Sequence, residues 1–190
     1  MEIFHNFTCT IAGLTLFVPG SMGCQTHYTA LMMPSIKNRI LQWVAQTPVR
    51  TFILYPSLVL AWELYIHEGS LHVQPTFLLL MPWGYLQYRV CGGYRKRIGG
   101  GGPGLQIPPE HLVTTGIYAW TRNPMYLGHI IFLVGLSLTL MSILAGLITI
   151  VTALWFHFRV TGDEKDLAKQ FGQPYVDYSG RVKRWIPGIF

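Results

Sequence analysis

Four stretches of the chain are almost unbroken in apolar residues, at roughly 3–19, 51–67, 71–90 and 123–158, and the polar residues gather between them. The last is the most informative. From Asn123 to Phe158 there is no Asp, Glu, Lys or Arg. A single helix of that length would extend about 54 Å, whereas the hydrocarbon core of a bilayer is about 30 Å thick. Arg122 and Arg159 bound the stretch, and both favour the same aqueous edge, so the crossings within it are even in number. The pattern predicts a hairpin of two shortish helices that turns near Thr139 to Ser142. With the first three stretches this gives about five spans, in an all-α, polytopic membrane protein.

The segment from Tyr28 to Val44 is only moderately apolar. If it spanned, Lys37 and Arg39 would sit mid-bilayer, at a cost of roughly 2.5–3.5 kcal/mol each. It is expected instead as an amphipathic helix on the inner membrane surface. With the N-terminus outside, all 14 Lys and Arg residues fall on one side, which the excess of cationic residues in inner loops makes cytoplasmic. Charged residues make up 12% of the chain, about half the usual share for a soluble domain, so lipid is the expected solvent. The net charge of +6 would also suit nucleic acid, but its confinement to one membrane face points to anionic headgroups. Nucleic-acid binding is not expected. Cys9, Cys24 and Cys91 show no metal-ligand spacing, so no metal site is predicted, and His129 with His157 lacks a carboxylate partner. No removable signal is recognised at the start, and residues near Ile3 to Pro19 are expected as a retained, weak membrane segment.

The chain divides into N-terminal membrane helices, 1–91, and a more polar region, 92–190, that includes the hairpin. Gly92 to Gly104 reads GGYRKRIGGGGPG, a flexible linker without a phosphate-loop pattern. Pro108 and Pro109 stiffen the entry to IPPEHLVTTGIYAWTRNPMYLG, residues 107–128, and Asn123-Pro124 opens the hairpin helix. Thr161-Gly162-Asp163-Glu164 fits a capping box for a further helix that Gly172 and Pro174 terminate. Tyr175, Tyr178, Trp185 and Ile186, among Arg181, Lys183 and Arg184, suit a segment lying against headgroups. The hairpin brings the polar flanks at Arg122 and Arg159 to one membrane face.

Those flanks carry a resemblance. Leu112 to Gly128 with the hairpin, Asp163-Glu164, Phe171-Gly172 with Tyr175 and Tyr178, and Arg181 to Pro187 resemble the isoprenylcysteine carboxyl methyltransferases and the phospholipid N-methyltransferases. The likeness covers about 106–187 and leaves 1–91 unmatched. It implies an integral membrane enzyme of 92–190 catalytic region that uses S-adenosylmethionine on a lipid-like or hydrophobic acceptor at the cytoplasmic interface. By resemblance, Leu112, Val113, Gly116, Tyr118, Asn123, Pro124, Met125, Tyr126, Asp163 and Glu164 line the cofactor pocket. Arg159 falls on a position assigned to substrate or catalysis, and Glu164 is a second catalytic candidate. Asn123 stands where members often carry histidine, and Asp163-Glu164 replaces a common Glu-Glu pair. Asparagine does not titrate, so position 123 has no acid–base role.

Elementary chemistry is compatible with this assignment. A sulfonium methyl donor is already activated, so alignment and exclusion of water are the main tasks. A carboxylate acceptor needs an arginine and no base, whereas an amine needs a proton acceptor such as Glu164 or a tyrosine. Two other classes compete. The C-terminal pattern also echoes NADPH-dependent membrane sterol reductases, and a non-enzymatic membrane binding or transport protein would show internal repeats or polar residues deep in the spans.

Overall fold

The computed structural model describes residues 8–11, 14–17, 41–101 and 109–186. The chain forms two units, Met1–Gln42 and Trp43–Phe190. In the first, β1 (Thr8–Ile11) pairs antiparallel with β2 (Leu14–Phe17), with Thr8 opposite Phe17 and Ile11 opposite Leu14. The expected membrane helix over 3–19 is therefore corrected where the structure describes it. Thr8, Thr10, Ile11 and Thr15 are β-branched and stiff at χ1, which favours a pleated pair, and hydropathy alone does not register that preference. The expected surface helix over 28–44 lies outside the described residues except for 41–44, which are helical.

The second unit is helical. Helix α1 (Thr47–Ile66) has Pro48 in its first turn and a π-helical stretch at Arg50–Leu54. After a 3-10 turn at Pro75–Phe77, α2 runs from Leu80 to Gly99. It starts later than the apolar stretch at 71–90 suggests, and it continues through the glycines expected to be a loop. The linker reading of 92–104 is thus corrected as far as Gly99, and 102–108 lies outside the described residues. Earlier in α2, Gly84 serves close packing against Gly128 and Phe132 of the following helix. A Cβ on Gly84 would lie 2.5 Å from the Phe132 backbone nitrogen, and one on Gly128 would lie 2.7 Å from the Gly84 carbonyl oxygen. Small residues let two backbones approach to where any side chain would collide. Tyr94, Arg95, Lys96 and Arg97 then carry the helix onward with ordinary helix-forming side chains.

Helix α3 (Pro124–Leu140) starts on Pro124, as the Asn123-Pro124 pair predicts. The turn falls within the expected window. Met141 adopts the left-handed conformation (φ 48°), and the Ser142 hydroxyl caps the next helix by accepting from the Ala145 amide at 3.1 Å. Helix α4 then runs unbroken from Ile143 to Phe171, 29 residues or about 43 Å. That corrects two expectations at once, a shortish second arm and a separate helix capped at Thr161. Thr161 donates its hydroxyl back to the His157 carbonyl at 3.0 Å, and Arg159 pairs with Asp163 one turn on. Both interactions continue the helix through Gly162. Gly172 (φ 61°) ends it as predicted, and α5 (Gln173–Arg181) begins on Pro174.

Helices α2 and α3 pack along each other, α3 packs on α4, and α1 touches α4. One apolar core joins Val59, Phe132, Leu133, Leu136, Leu140 and Ala145. Another joins Tyr126, Phe156, Val160 and Trp185. Two helices, α1 and α4, are long and apolar enough to cross a membrane, and α3 is a shorter apolar helix. Only 22% and 28% of the apolar windows of α1 and α4 are buried within the chain. Leu58, Trp62, Ile143, Val151 and Phe158 point outward, an apolar surface too extensive for water-facing helices. Glu63 on α1 is buried and meets the His67 Nε2 at 3.2 Å.

Candidate functional site

A cavity of about 280 Å³ opens where the entry segment 109–123, the start of α3, the end of α4 and α5 converge. Its size is near the lower end of small-molecule sites, roughly 300–1,000 Å³. The entry segment is set in place by glycine and tyrosine. The Gly99 carbonyl accepts from the amides of Glu110 and His111 at 2.7 and 2.8 Å, and a Cβ at Gly99 would meet Val113 at 2.7 Å. Gly116 has φ +61°, with the Tyr94 ring against it and Tyr94 Oη 2.9 Å from Thr115 Oγ1. This places Leu112 and Val113 on one wall and Tyr118 on another. Gln170 on α4 donates to the Pro109 carbonyl at 2.9 Å and ties the segment down.

The titratable groups form two networks. In the first, the Tyr126 hydroxyl donates to Asp163 Oδ2 at 2.6 Å and accepts from Arg159 Nε at 3.0 Å. Arg159 and Asp163 themselves are 3.9 Å apart. In the second, Arg184 grips both Glu164 oxygens, Nε to Oε1 at 3.2 Å and Nη2 to Oε2 at 2.7 Å, while Arg122 Nη2 approaches Oε1 at 3.4 Å. The networks differ in exposure. The Glu164 side chain is 13% exposed and that of Asp163 39%, so Asp163 is the carboxylate more open to a ligand.

The tail after α5 completes the wall. The Arg122 amide donates to the Lys183 carbonyl at 3.0 Å, and the Asn123 Nδ2 and Thr121 hydroxyl both donate to the Arg184 carbonyl. Tyr178 donates to the Tyr118 carbonyl at 2.7 Å. Tyr175, Tyr178 and Trp185 are buried, which corrects the expectation that this segment lies against headgroups. Their rings find an apolar pocket within the protein, against which headgroup contact offers less burial. Burial raises the Tyr175 phenol to about 12 and also pushes Tyr118 and Tyr178 upward. These phenols stay protonated at neutral pH and act as donors rather than bases.

Of the residues predicted from sequence, Leu112, Val113, Tyr118, Asn123, Pro124, Met125, Tyr126, Arg159, Asp163 and Glu164 all line the cavity. Gly116 does not; it shapes the turn behind Tyr118. Sequence reasoning passed over Arg122, Gln170, Tyr175, Tyr178 and Arg184 as wall or strut residues. The signal available was the spacing of Tyr175 and Tyr178 on one face of a helix begun by Gly172-Pro174, which points both rings the same way. His129 is fully buried and stacks on Phe52, with neither ring nitrogen hydrogen-bonded. Its ring also packs near that of Phe156.

Residues 102–174, which hold the entry segment, the hairpin and the acidic pair, match the phospholipid methyltransferase family. Within that class the likeness is to named enzymes. The chain is 35% identical over 80 residues to the protein-S-isoprenylcysteine O-methyltransferase of Mus musculus, covering 41% of this chain and 28% of that protein. It is 38% identical over 80 residues to the enzyme of the same name from Saccharomyces cerevisiae, covering 41% of this chain and 33% of that protein. The chain thus spans about a third or less of the length of these relatives. A solved structure of the eukaryotic intramembrane Ras methyltransferase, isoprenylcysteine carboxyl methyltransferase, shares the fold with a TM-score of 0.53. That alignment is 20% identical and covers 83% of this chain and 55% of the other. The resemblance expected from the sequence is borne out over this segment.

Proposed function

We propose that the protein is an integral membrane methyltransferase that uses S-adenosylmethionine to methylate a lipid-like acceptor at the cytoplasmic interface. The observation that carries this reading is the cavity itself. It is lined mostly by the family-matched segment, at the end of apolar helices, with tyrosine rings and an open carboxylate backed by arginines. The donor set suits the ligand. Asp163 is placed to accept from ribose hydroxyls or an ammonium group, and Tyr118 and Tyr126 offer faces to adenine or a sulfonium. Arg122 fits a carboxylate, and Glu164, itself held by Arg184, keeps it at the wall. Bound there, S-adenosylmethionine supplies a methyl group activated by positive charge on sulfur.

The residues also favour one acceptor chemistry. Both Glu164 oxygens are taken by guanidinium groups, Asp163 accepts from Tyr126, and the phenols outside the membrane helices are held protonated. Asp166, the remaining cavity carboxylate, pairs with Lys169 at 3.5 Å, so each carboxylate lining the described cavity already has a donor, and an amine acceptor would need one of them as its general base. A carboxylate acceptor needs none, and Arg159 stands at the cavity edge to orient it. Such an acceptor enters from lipid while the cofactor enters from water. A site at the interface serves both.

Calorimetric titration of the purified protein with S-adenosylmethionine and with NADPH tests this. Saturable binding of S-adenosylmethionine alone, weakened about tenfold by Tyr126→Phe, is the expected result. Binding of NADPH alone returns the reductase reading, and binding of neither returns a non-enzymatic one.

A further inference from the structure

Arg50 lies outside the family-matched segment, on α1, at the first residue of its π-helical stretch. π-helical turns occur mostly as single-turn bulges at functional sites, because widening the helix costs backbone hydrogen-bond quality. The Arg50 guanidinium sits 5.2 Å from the centroid of Trp155 on α4. The Arg159 guanidinium sits 5.5 Å from the same ring. The two cations are therefore no more than about 11 Å apart, with one indole holding both. Arg159 is partly neutralised by Asp163 and donates to Tyr126. Arg50 has no carboxylate partner among the described residues, and its Nε is buried without a hydrogen bond.

Two guanidinium groups at one ring repel each other, and a buried N–H without an acceptor is unfavourable. An anionic oxygen group relieves both conditions. Beside Arg50, its neighbours Val49, Phe52 and Ile53 join Met81, Tyr85 and Phe132 around a largely apolar groove of about 530 Å³ that also carries the Arg89 side chain. The combination is a cationic head site with an apolar trough next to it, and Arg159 links that head site to the cavity through Tyr126. We propose that Arg50 is a second anion-holding arginine, which with Arg159 receives the acceptor's carboxylate and favours it over the neutral methyl ester. This rests on the methyltransferase reading above.

The consequence is selective. Methylation replaces a carboxylate oxygen's negative charge with an O–CH3 bond as the donor sulfonium becomes a neutral thioether, and no proton moves. The product therefore loses the charge that Arg50 holds, while its apolar tail is unchanged. Arg50 thus discriminates acid from ester and promotes release of the ester. A lipid headgroup would satisfy the same charges, but it would also block the edge through which the acceptor reaches Arg159.

Equilibrium binding of N-acetyl-S-farnesylcysteine and of its methyl ester, to the full chain in zwitterionic nanodiscs, tests this. The unmodified protein is expected to bind the acid about tenfold more tightly than the ester, as charge-assisted hydrogen bonds imply. Arg50→Gln should weaken the acid to the level of the ester, leave the ester unchanged, and keep S-adenosylmethionine affinity intact. Arg50→Lys, which keeps the charge but loses the planar fork, should fall between and serves if the glutamine variant does not fold. An acid-to-ester ratio unaltered in both variants overturns the proposal. So does binding that follows the phosphatidylglycerol content of the disc and ignores the acid. If the Arg50-dependent preference is found but the protein never forms the ester, Arg50 stands as an anion site and the methyltransferase reading falls.

Discussion

The two ends of the α3–α4 hairpin are held by different means. At the far end, Met141 in the left-handed region and the Ser142 cap close the turn within a few residues. At the site end, Arg122 and Asn123 are fixed by the Lys183 and Arg184 carbonyls, and Glu164 is clasped by Arg184 and Arg122. One end is local chemistry and the other is long-range chemistry. Local closure makes the hairpin robust, and long-range closure makes the cavity depend on the whole unit. Stability and ligand binding should therefore separate under mutation.

The largest effect is expected from neither end but from the crossing that supports both. Gly84→Leu forces a side chain into the α3 backbone at Phe132 and Gly128. Overpacking of that kind costs about 3 kcal/mol or more, and the variant should lose its cooperative melting transition and S-adenosylmethionine binding together. Glu164→Gln breaks the site end. It leaves Arg122 and Arg184 facing each other without a shared anion, and it should weaken cofactor affinity about tenfold or more, measured by calorimetry, while the melting temperature falls only modestly. Ser142→Ala breaks the far end. Loss of the cap costs about 1 kcal/mol of stability in a denaturation series, with cofactor affinity unchanged. Equal effects of the last two changes on binding would erase the distinction between the ends.

The same division explains what the sequence made legible. The turn at Thr139 to Ser142, the start at Asn123-Pro124 and the stop at Gly172-Pro174 are all coded by residues next to them in the chain, and all were read correctly. The cavity lining from Leu112 to Tyr126 was reachable because the resemblance lies there, with Gly116 the exception. What stayed hidden depends on partners far along the chain. Gly99 looks like linker until Val113 and the His111 carbonyl are found packed against it. Thr161 reads as a cap until its hydroxyl is seen bonding back to His157. Arg122 reads as a residue marking the aqueous end of a span, and Arg184 as one of a headgroup-facing cluster, until Glu164 is found between them. At the N-terminal side, hydropathy alone predicts a membrane helix, whereas the β-branched residues at Thr8 to Ile11 favour the strand pair that is found.

Arg184, whose carbonyl holds Asn123, is made 61 residues after it. At translation rates of about 5–20 residues per second, the ribosome delivers one wall of the pocket about 3–12 seconds after the other. The hairpin can fold and settle in lipid during that interval, because its own turn asks for nothing further downstream. The closing wall of the cavity arrives only with the last turns of the unit. Biogenesis thus runs in a fixed order, the hairpin first and the cavity afterwards, and a nascent chain stalled between Phe171 and Lys183 would hold a folded hairpin with an unfinished cavity.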